Sequence, residues 1–319
     1  MQFNYLLDKI NSAKVEDYPF SHVQINNFFN DSHLKQIVSA AEIAVPGAES
    51  DTQLFNELFA KGYKIIDFPG CIIDRDVYIK WHRNKDSHEN YTNTSCEGFG
   101  VTLRLISPES EVISGLTEFM KGKEFQESLA SKFGIDLDSV SYDSGIQKYL
   151  DGYEISPHPD TRNKALTYMV NINPDPLSEK QNHHTHYLEF RQEFKYVQAY
   201  WDGHPNEDRC WVPWSWCETK KIQRENNSIV IFSPKNDTIH AVKASYNHLN
   251  GQRTQMYGNL WYREKQASIG PEWENYVITV PASDMPLKSK LRSMVPSPIK
   301  DLIRRKKPED SNVIPDRLR

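Results

Sequence analysis

Two segments of this chain, far apart in sequence, bring metal-ligating side chains to the ends of strand-like stretches. The first segment, "YEISPHPD", runs into His158 and Asp160. The second, "NSIVIFSPKNDTIHAV", reaches His240, 82 residues after His158. On an extended chain, residues two apart point to the same side, so His158 and Asp160 are expected to share one wall. A histidine that follows so much later must come from a neighbouring strand, and the fold must place these two strands side by side.

Two imidazoles and one carboxylate form the facial triad that holds a non-haem Fe(II) and leaves the opposite coordination face open. Arg253, beyond the second histidine, is suited to pair with the far carboxylate of a 2-oxoacid. A His-x-Asp pair alone is a weak signal. The order of the residues and the strand-like segments around them make His158, Asp160 and His240 the predicted catalytic metal ligands.

The segments around these residues have the pattern of a β-rich fold. "KALTYMVNIN" (164–173) is nearly continuously apolar, and "HYLEFR" (186–191) is a short strand candidate. "RTQMYGNLWY" (253–262) alternates, so that its odd-numbered residues share one face. The sequence therefore predicts a mainly β protein with flanking helices, specifically a double-stranded β-helix (jelly roll, cupin-like), with the metal near one open end.

Three regions are expected along the chain. Residues 1–95 form a mixed helical and loop region that buttresses the barrel, and residues 96–265 form the double-stranded β-helix. An insertion near 196–224 carries four of the seven tryptophans and is expected to form a lid, a substrate wall or simply packed barrel surface. Residues 266–319 form a C-terminal extension.

Charge limits the partners that this chain is expected to bind. The formal net charge is −5, which argues against a general affinity for nucleic acid. The tail at 286–307 is different, because it carries eight Lys or Arg and one Asp. Weak contact with a membrane surface or a partner protein through this tail is one expectation. A solvated tail, or a tail docked on the acidic body, is the more common alternative.

The four cysteines have no disulfide-framework spacing, so we expect reduced thiols in a cytoplasmic protein. The N-terminal stretch is too polar for a signal peptide, and no run is long enough to cross a bilayer. The "HHTH" run at 183–186 lacks a matching ligand pair for structural zinc and is expected to be exposed or hydrogen-bonded loop. Arg104 and Arg162 are expected to be surface residues, with binding of an anionic substrate group as the alternative.

The stretch 18–263 resembles the 2-oxoglutarate/Fe(II)-dependent dioxygenase superfamily, and within it the prolyl 4-hydroxylase-like branch. "PFSHVQINNFF" resembles the strand that opens many members of that branch. "QKYLDGYEISPHPD" resembles the branch's core motif, and "IHAV" with "GQRTQ" resembles the segment that supplies the last iron ligand and the basic partner of the co-substrate. "HYLEFR" departs from the branch pattern, because histidine and tyrosine replace its two glycines.

The resemblance implies an enzyme that uses Fe(II), 2-oxoglutarate as co-substrate and O2. It implies that His158, Asp160 and His240 bind iron and that Arg253 pairs with the C5 carboxylate of 2-oxoglutarate. Weaker candidates for co-substrate contacts are Tyr149, Thr167 and Asn171. The expected reaction is hydroxylation of an unactivated C–H bond in a small-molecule or peptide substrate, with release of succinate and CO2.

Two alternatives stay open at this point. The same cofactors also serve desaturation, cyclisation or epimerisation, which the sequence does not separate from hydroxylation. A jelly-roll protein that binds a metal or ligand without turnover is the other alternative, although Arg253 has no purpose in a simple metal-binding barrel. The residues indicate neither the substrate nor the oligomeric state.

Overall fold

The computed structural model describes residues 2–84, 95–264 and 266, and the backbone of two short strands at 272–274 and 277–279. The chain divides into a unit at 1–268 and a second unit at 269–319. In the second unit the described strands Glu272–Glu274 and Val277–Thr279 pair antiparallel. The predicted basic tail at 286–307 lies outside the described residues. Within the described residues, no helix is both long and apolar enough to span a bilayer.

Helices occupy the N-terminal half and one later segment. They are α1 (Tyr5–Ser12), α2 (Asp31–Ser39), α3 (Asp51–Ala60), α4 (Arg75–Arg83), α5 (Glu111–Lys121), α6 (Lys123–Lys132) and α7 (Lys195–Asp202). A side-chain cap begins α2, because the Asn30 side chain accepts a hydrogen bond from the His33 amide at 2.8 Å.

Strands of the first unit form two antiparallel sheets. They are β1 (Val23–Ile25), β2 (Tyr63–Ile65), β3 (Thr102–Leu105), β4 (Val140–Tyr149), β5 (Glu154–His158), β6 (Lys164–Asn171), β7 (Thr185–Phe190), β8 (Cys217–Gln223), β9 (Ile229–Phe232), β10 (His240–Lys243) and β11 (Arg253–Tyr262). The larger sheet has the order β1-β9-β6-β11-β4-β3-β2, and the smaller has the order β5-β10-β7-β8.

The strands from β4 to β11 pass between the two sheets in the order of a double-stranded β-helix, so the predicted fold class is confirmed. One part of the predicted insertion belongs to the barrel. The segment Cys217–Gln223 is a strand of the smaller sheet, paired with β7 from Phe190 to Thr185. Only its first and last residues are buried, and the others are half-buried or exposed.

The larger sheet is buried on the face opposite the smaller one. Leu166, Tyr168 and Val170 of β6 belong to the main hydrophobic core together with side chains of the N-terminal helices. The ring of Phe125 on α6 meets the Tyr168 ring edge-on, with centroids 5.6 Å apart. Because both faces of β6 are covered, its sequence is nearly continuously apolar rather than alternating.

Four ionisable side chains tie the helical region to the barrel. His82 of α4 contacts the Asp51 carboxylate through Nδ1 and the Asp151 carboxylate through Nε2, both at 3.0 Å. The His248 Nδ1 accepts the Asp151 amide, so its Nε2 carries the proton and donates to Asp51 at 2.8 Å. Asp51, His82 and His248 lie close enough together to hold a metal ion. However, His248 uses Nδ1 as an acceptor and Nε2–H as a donor, so neither ring nitrogen offers a lone pair to a metal. The cluster is therefore a charged hydrogen-bond network.

The pH dependence of stability is expected to reveal this network. Burial alone would lower the pKa of His82, but Asp151 and Asp51 raise it to about 9. The stabilisation is therefore complete below the unfolded-state pKa of about 6.5 and is lost as pH rises through 9. We expect the free energy of unfolding to fall over this interval by up to about 3 kcal/mol. In His82→Gln this part of the fall should vanish in urea titrations at pH 6.5 and 9, and an unchanged fall would contradict the assignment.

Candidate metal centre and co-substrate pocket

The three predicted metal ligands meet at the end of the smaller sheet. His158 is the last residue of β5 and His240 is the first of β10, and the two are direct Cα partners across the antiparallel pair. Their ring centroids lie 4.3 Å apart. The Asp160 carboxylate completes the group, with Oδ1 3.6 Å from His158 Nε2 and Oδ2 3.8 Å from His240 Nε2. All the ligand atoms lie within 4.8 Å of one another, close enough for one ion to bind them together.

Asp160 reaches the group from a turn rather than from the strand. β5 ends at His158, and Asp160 has a φ of 70°, in the left-handed region that residues other than glycine seldom adopt. His158 and Asp160 are therefore not aligned by a shared strand face, as the sequence had suggested. The turn re-aims the carboxylate toward both imidazoles.

Hydrogen bonds at the far nitrogens hold both histidines in the tautomer that a metal requires. The Nδ1–H of His158 donates to the Ser156 carbonyl at 2.8 Å, and the Nδ1–H of His240 donates to the Thr238 carbonyl at 2.9 Å. Each Nε2 therefore presents a lone pair toward Asp160. Burial, followed by the neighbouring His158, lowers the pKa of His240 to about 3, so that imidazole is neutral at physiological pH.

Asp160 is held as a carboxylate. Burial by itself would raise its pKa, but Lys164, whose Nζ lies 2.7 Å from Oδ1, and the two histidines hold the pKa well below its usual range. The Thr167 hydroxyl also donates to Oδ2 at 3.0 Å. Thr167 lines the cavity described below, but its contacts are with Asp160 and, at 3.2 Å, with the Asn259 side chain.

Arg253, the first residue of β11, is a buried cation without a carboxylate partner among the described residues. It is 2% exposed, and its Nη2 donates to Thr185 Oγ1 at 2.9 Å and to Gln255 Oε1 at 3.2 Å. Its guanidinium carbon lies 4.8 Å from the centre of the Tyr149 ring. Burial lowers the pKa of Arg253 and the surrounding tyrosines oppose this. A desolvated guanidinium costs free energy unless it is paired, so the space before it favours an anion.

The two other residues predicted to contact a co-substrate lie at different depths. Tyr149 lines the cavity, supports Arg253 with its ring and donates its hydroxyl to Gln147 at 2.5 Å. Asn171 does not reach the described cavity wall. Its side-chain oxygen accepts from Gln255 Nε2 at 3.0 Å, and its amide donates to the Gln223 carbonyl at 3.2 Å. Asn171 holds Gln255, which in turn accepts from Arg253, and a direct contact of Asn171 with a co-substrate stays a prediction.

One cavity of about 420 Å³ connects these groups. Its wall includes Arg253 and Tyr149, then the three triad residues, and then residues from the middle of the Trp-rich segment, Asp208, Arg209 and Trp211. Such a volume is in the range of small-molecule sites, and it places a metal-binding group and an unpaired cation in the same enclosure.

The histidine run, predicted to be exposed or hydrogen-bonded loop, is buried at its first two residues. His183 and His184 are 2% and 3% exposed, and the His183 ring meets the Tyr246 ring edge-on at 4.7 Å. Burial, followed by the positive charge of Arg253, lowers their pKa values to about 2 and about 4. They therefore stay neutral beside the guanidinium. No local sequence pattern indicates this burial, because it depends on contacts with residues distant in sequence, such as Tyr246.

Metal binding should depend on the triad and not on histidines in general. We expect His240→Ala to weaken Mn(II) binding at least about 100-fold, because loss of residues that merely orient a ligand already costs 10–100-fold. His186→Ala is the matched control. His186 lies on β7 opposite Ala241 of β10, and its ring hydrogen-bonds to the Thr219 hydroxyl rather than contacting the triad. Calorimetric titration of both variants with Mn(II) checks this. Equal losses in the two variants would exclude the assignment.

No protein-family model and no curated protein matches the chain. Solved structures do match it. One is a Trichoplax adhaerens prolyl hydroxylase in complex with a peptide fragment of the hypoxia inducible factor oxygen degradation domain, with 11% identity, 83% of this chain and 90% of that chain covered, and a TM-score of 0.40. Another is a Pseudomonas putida prolyl-4-hydroxylase, with 8% identity, 82% and 100% covered, and a TM-score of 0.39.

A third match is an oxidoreductase of the 2OG-Fe(II) oxygenase family from Burkholderia pseudomallei, with 10% identity, 70% and 96% covered, and a TM-score of 0.29. At these TM-scores the overlays carry no weight for function, and the fold assignment rests on this chain's own strand order. Among the solved structures that the chain matches are thus prolyl hydroxylases and other 2-oxoglutarate/Fe(II) oxygenases, the superfamily that its motifs resemble.

Proposed function

We propose that this protein is an Fe(II)- and 2-oxoglutarate-dependent dioxygenase that hydroxylates a C–H bond of a small-molecule or peptide substrate. The observation that carries the proposal is the presence of two unlike groups in one cavity. Two Nε2 lone pairs and a carboxylate converge on one point, and an unpaired buried guanidinium lies in the same enclosure. A metal-binding barrel needs only the first group, whereas a metal enzyme with a dicarboxylate co-substrate needs both.

The donor set suits Fe(II). Two neutral imidazoles and one carboxylate are ligands that this ion accepts, and they leave positions for exchangeable ligands. When bound, the iron supplies the activation of O2, and the overall reaction is 2-oxoglutarate + O2 + R–H → succinate + CO2 + R–OH. The protein's own contribution is binding, orientation and the exclusion of water.

Individual residues can be assigned to the binding, the orientation and the exclusion of water. Ser156 and Thr238 fix the tautomers of the two histidines through their carbonyls. Lys164 keeps Asp160 ionised. Arg253 binds a carboxylate, and its orientation is set by Thr185, Gln255 and the Tyr149 ring. Buried tyrosines, Tyr149, Tyr153, Tyr187 and Tyr246, lie around the guanidinium and would exclude water from a bound carboxylate.

The four cysteines are free thiols in the structure, and this supports the cytoplasmic setting that we propose from the sequence. It also means that neither the triad nor Arg253 depends on a disulfide for its placement.

The first test is anaerobic titration of metal-free protein with Fe(II) and then 2-oxoglutarate, followed by the weak visible charge-transfer band of the chelate. We expect the band in the native protein. In Arg253→Gln we expect at least about tenfold weaker 2-oxoglutarate binding, because hydrogen bonds to charged groups contribute about 1.5–3 kcal/mol. Arg75→Gln, at a half-buried arginine of α4 that pairs with Asp76, is the matched control and should bind normally.

Failure to form the band with folded, iron-loaded native protein would refute the co-substrate and favour a non-catalytic metal-binding barrel. A band that forms equally well in Arg253→Gln would refute the role of Arg253 alone. If the band forms but no succinate is released in response to any substrate, the protein binds iron and 2-oxoglutarate without turnover.

A further inference from the structure

The cavity contains two opposite charges that nothing in the described structure neutralises. Most charged side chains on its wall form ion pairs, which are Glu97–Arg209, Asp208–Arg209 and Asp160–Lys164. Arg253 is assigned above to the co-substrate. In the described residues this leaves two charged side chains on the cavity wall without an ion pair, Arg104 on β3 and Asp143 on β4.

Arg104 is directed over an aromatic ring rather than into solvent. Its guanidinium carbon lies 5.1 Å from the centre of the Tyr257 ring, and its Nε is buried without a hydrogen-bond partner. The Tyr257 hydroxyl is also buried without a partner. Gly145 makes this arrangement feasible, since a Cβ there would lie 3.2 Å from the Tyr257 ring and 3.5 Å from Arg104 Cδ. The wall therefore presents unused donors next to a positive charge.

Asp143 lies on the same wall, nearer to the metal ligands. It is the Cα partner of Asn259, whose side chain contacts Thr167, and Thr167 in turn bonds Asp160. Burial, followed by the Asp143 carboxylate, raises the pKa of Tyr257, which places that negative charge close to the phenol.

The positions of the two charges on the wall define what fits between them. The Arg104 guanidinium lies over Tyr257, and Asp143 lies opposite Asn259, two residues further along the same face of β11. Among the described residues the two charged groups form no ion pair with each other. A molecule that carries a carboxylate beside an ammonium can bridge them, with one hydrogen-bonded ion pair at each end.

Resting on the proposed function, we infer that the substrate is a small zwitterion, most simply a free α-amino acid, whose carboxylate is bound by Arg104 and whose ammonium is bound by Asp143. An internal residue of a peptide chain has neither charge and would leave both half-buried side chains without an ion pair. A cavity of about 420 Å³ that must also hold 2-oxoglutarate agrees with a small substrate. The head group is then held beside the metal ligands, and the rest of the molecule is available for oxidation.

The experiment measures binding separately from turnover. Protein loaded with Mn(II) and 2-oxoglutarate is titrated calorimetrically, under anaerobic conditions, with each of the common L-amino acids in turn. Any amino acid that binds is then compared with its methyl ester and its N-acetyl derivative. In the native protein we expect each modification to weaken binding at least tenfold. With Fe(II) and O2, the same amino acid should stimulate succinate release.

Two variants separate the two ends of the substrate. Arg104→Gln should bind the acid and the ester equally while still rejecting the N-acetyl derivative. Asp143→Asn should show the reverse selectivity. Arg75→Gln and Asp76→Asn remove the same charges from an ion pair on α4 whose side chains are 35% and 77% exposed, and both should retain the native selectivity. The derivative series in native protein stands even if a variant does not fold.

The outcomes distinguish this inference from the function on which it rests. If the iron and 2-oxoglutarate band forms but no free amino acid binds, or a blocked amino acid binds equally well, the zwitterion is wrong and the dioxygenase proposal stands. If Arg104→Gln retains the ester penalty, the carboxylate is not bound there and the inference fails. If the band itself does not form, both proposals fail together.

Discussion

The pairing of His158 with His240 across β5 and β10 is the constraint on which the site depends. Residues on a strand alternate between faces, so a slip of one residue would turn an imidazole away from the metal position. A register irregularity between His240 and Val242 follows immediately. Because β10 is paired with β7 on its other edge, the small sheet holds this register from both sides. The fold is therefore the means by which two histidines 82 residues apart become neighbours.

The charges of the site are arranged so that it attracts anions without losing its metal ligands. Lys164 keeps Asp160 ionised, while burial keeps His240 neutral. Arg253 is then a cation in excess, held by neutral hydrogen-bond acceptors and a tyrosine ring rather than by a carboxylate. A protein carboxylate beside Arg253 would neutralise the guanidinium, which would then no longer attract an anionic ligand. The neutral environment of Arg253 is thus a property that the binding of a dicarboxylate requires.

Residue spacing and periodicity predicted much of this arrangement. The order of His158, Asp160, His240 and Arg253 identified residues that the fold brings to one cavity. What the sequence could not predict depends on contacts between strands distant in sequence. The burial of His183, the indirect role of Asn171 and the unpaired charge of Arg104 all follow from which strand edges meet, and no local pattern encodes that.

The Trp-rich segment shows how the same limit applies to the mouth of the cavity. Its first part is anchored by Arg162, which makes four hydrogen bonds, three of them to carbonyls of Trp201, His204 and Glu207, and stacks over the Trp201 ring at 3.8 Å. The rest of the segment contributes Asp208, Arg209 and Trp211 to the cavity wall and forms strand β8. A segment fixed in this way loses little entropy when a ligand binds. If the substrate is the small zwitterion inferred above, the preformed charges of Arg104 and Asp143 bind it without the wall first having to close around it.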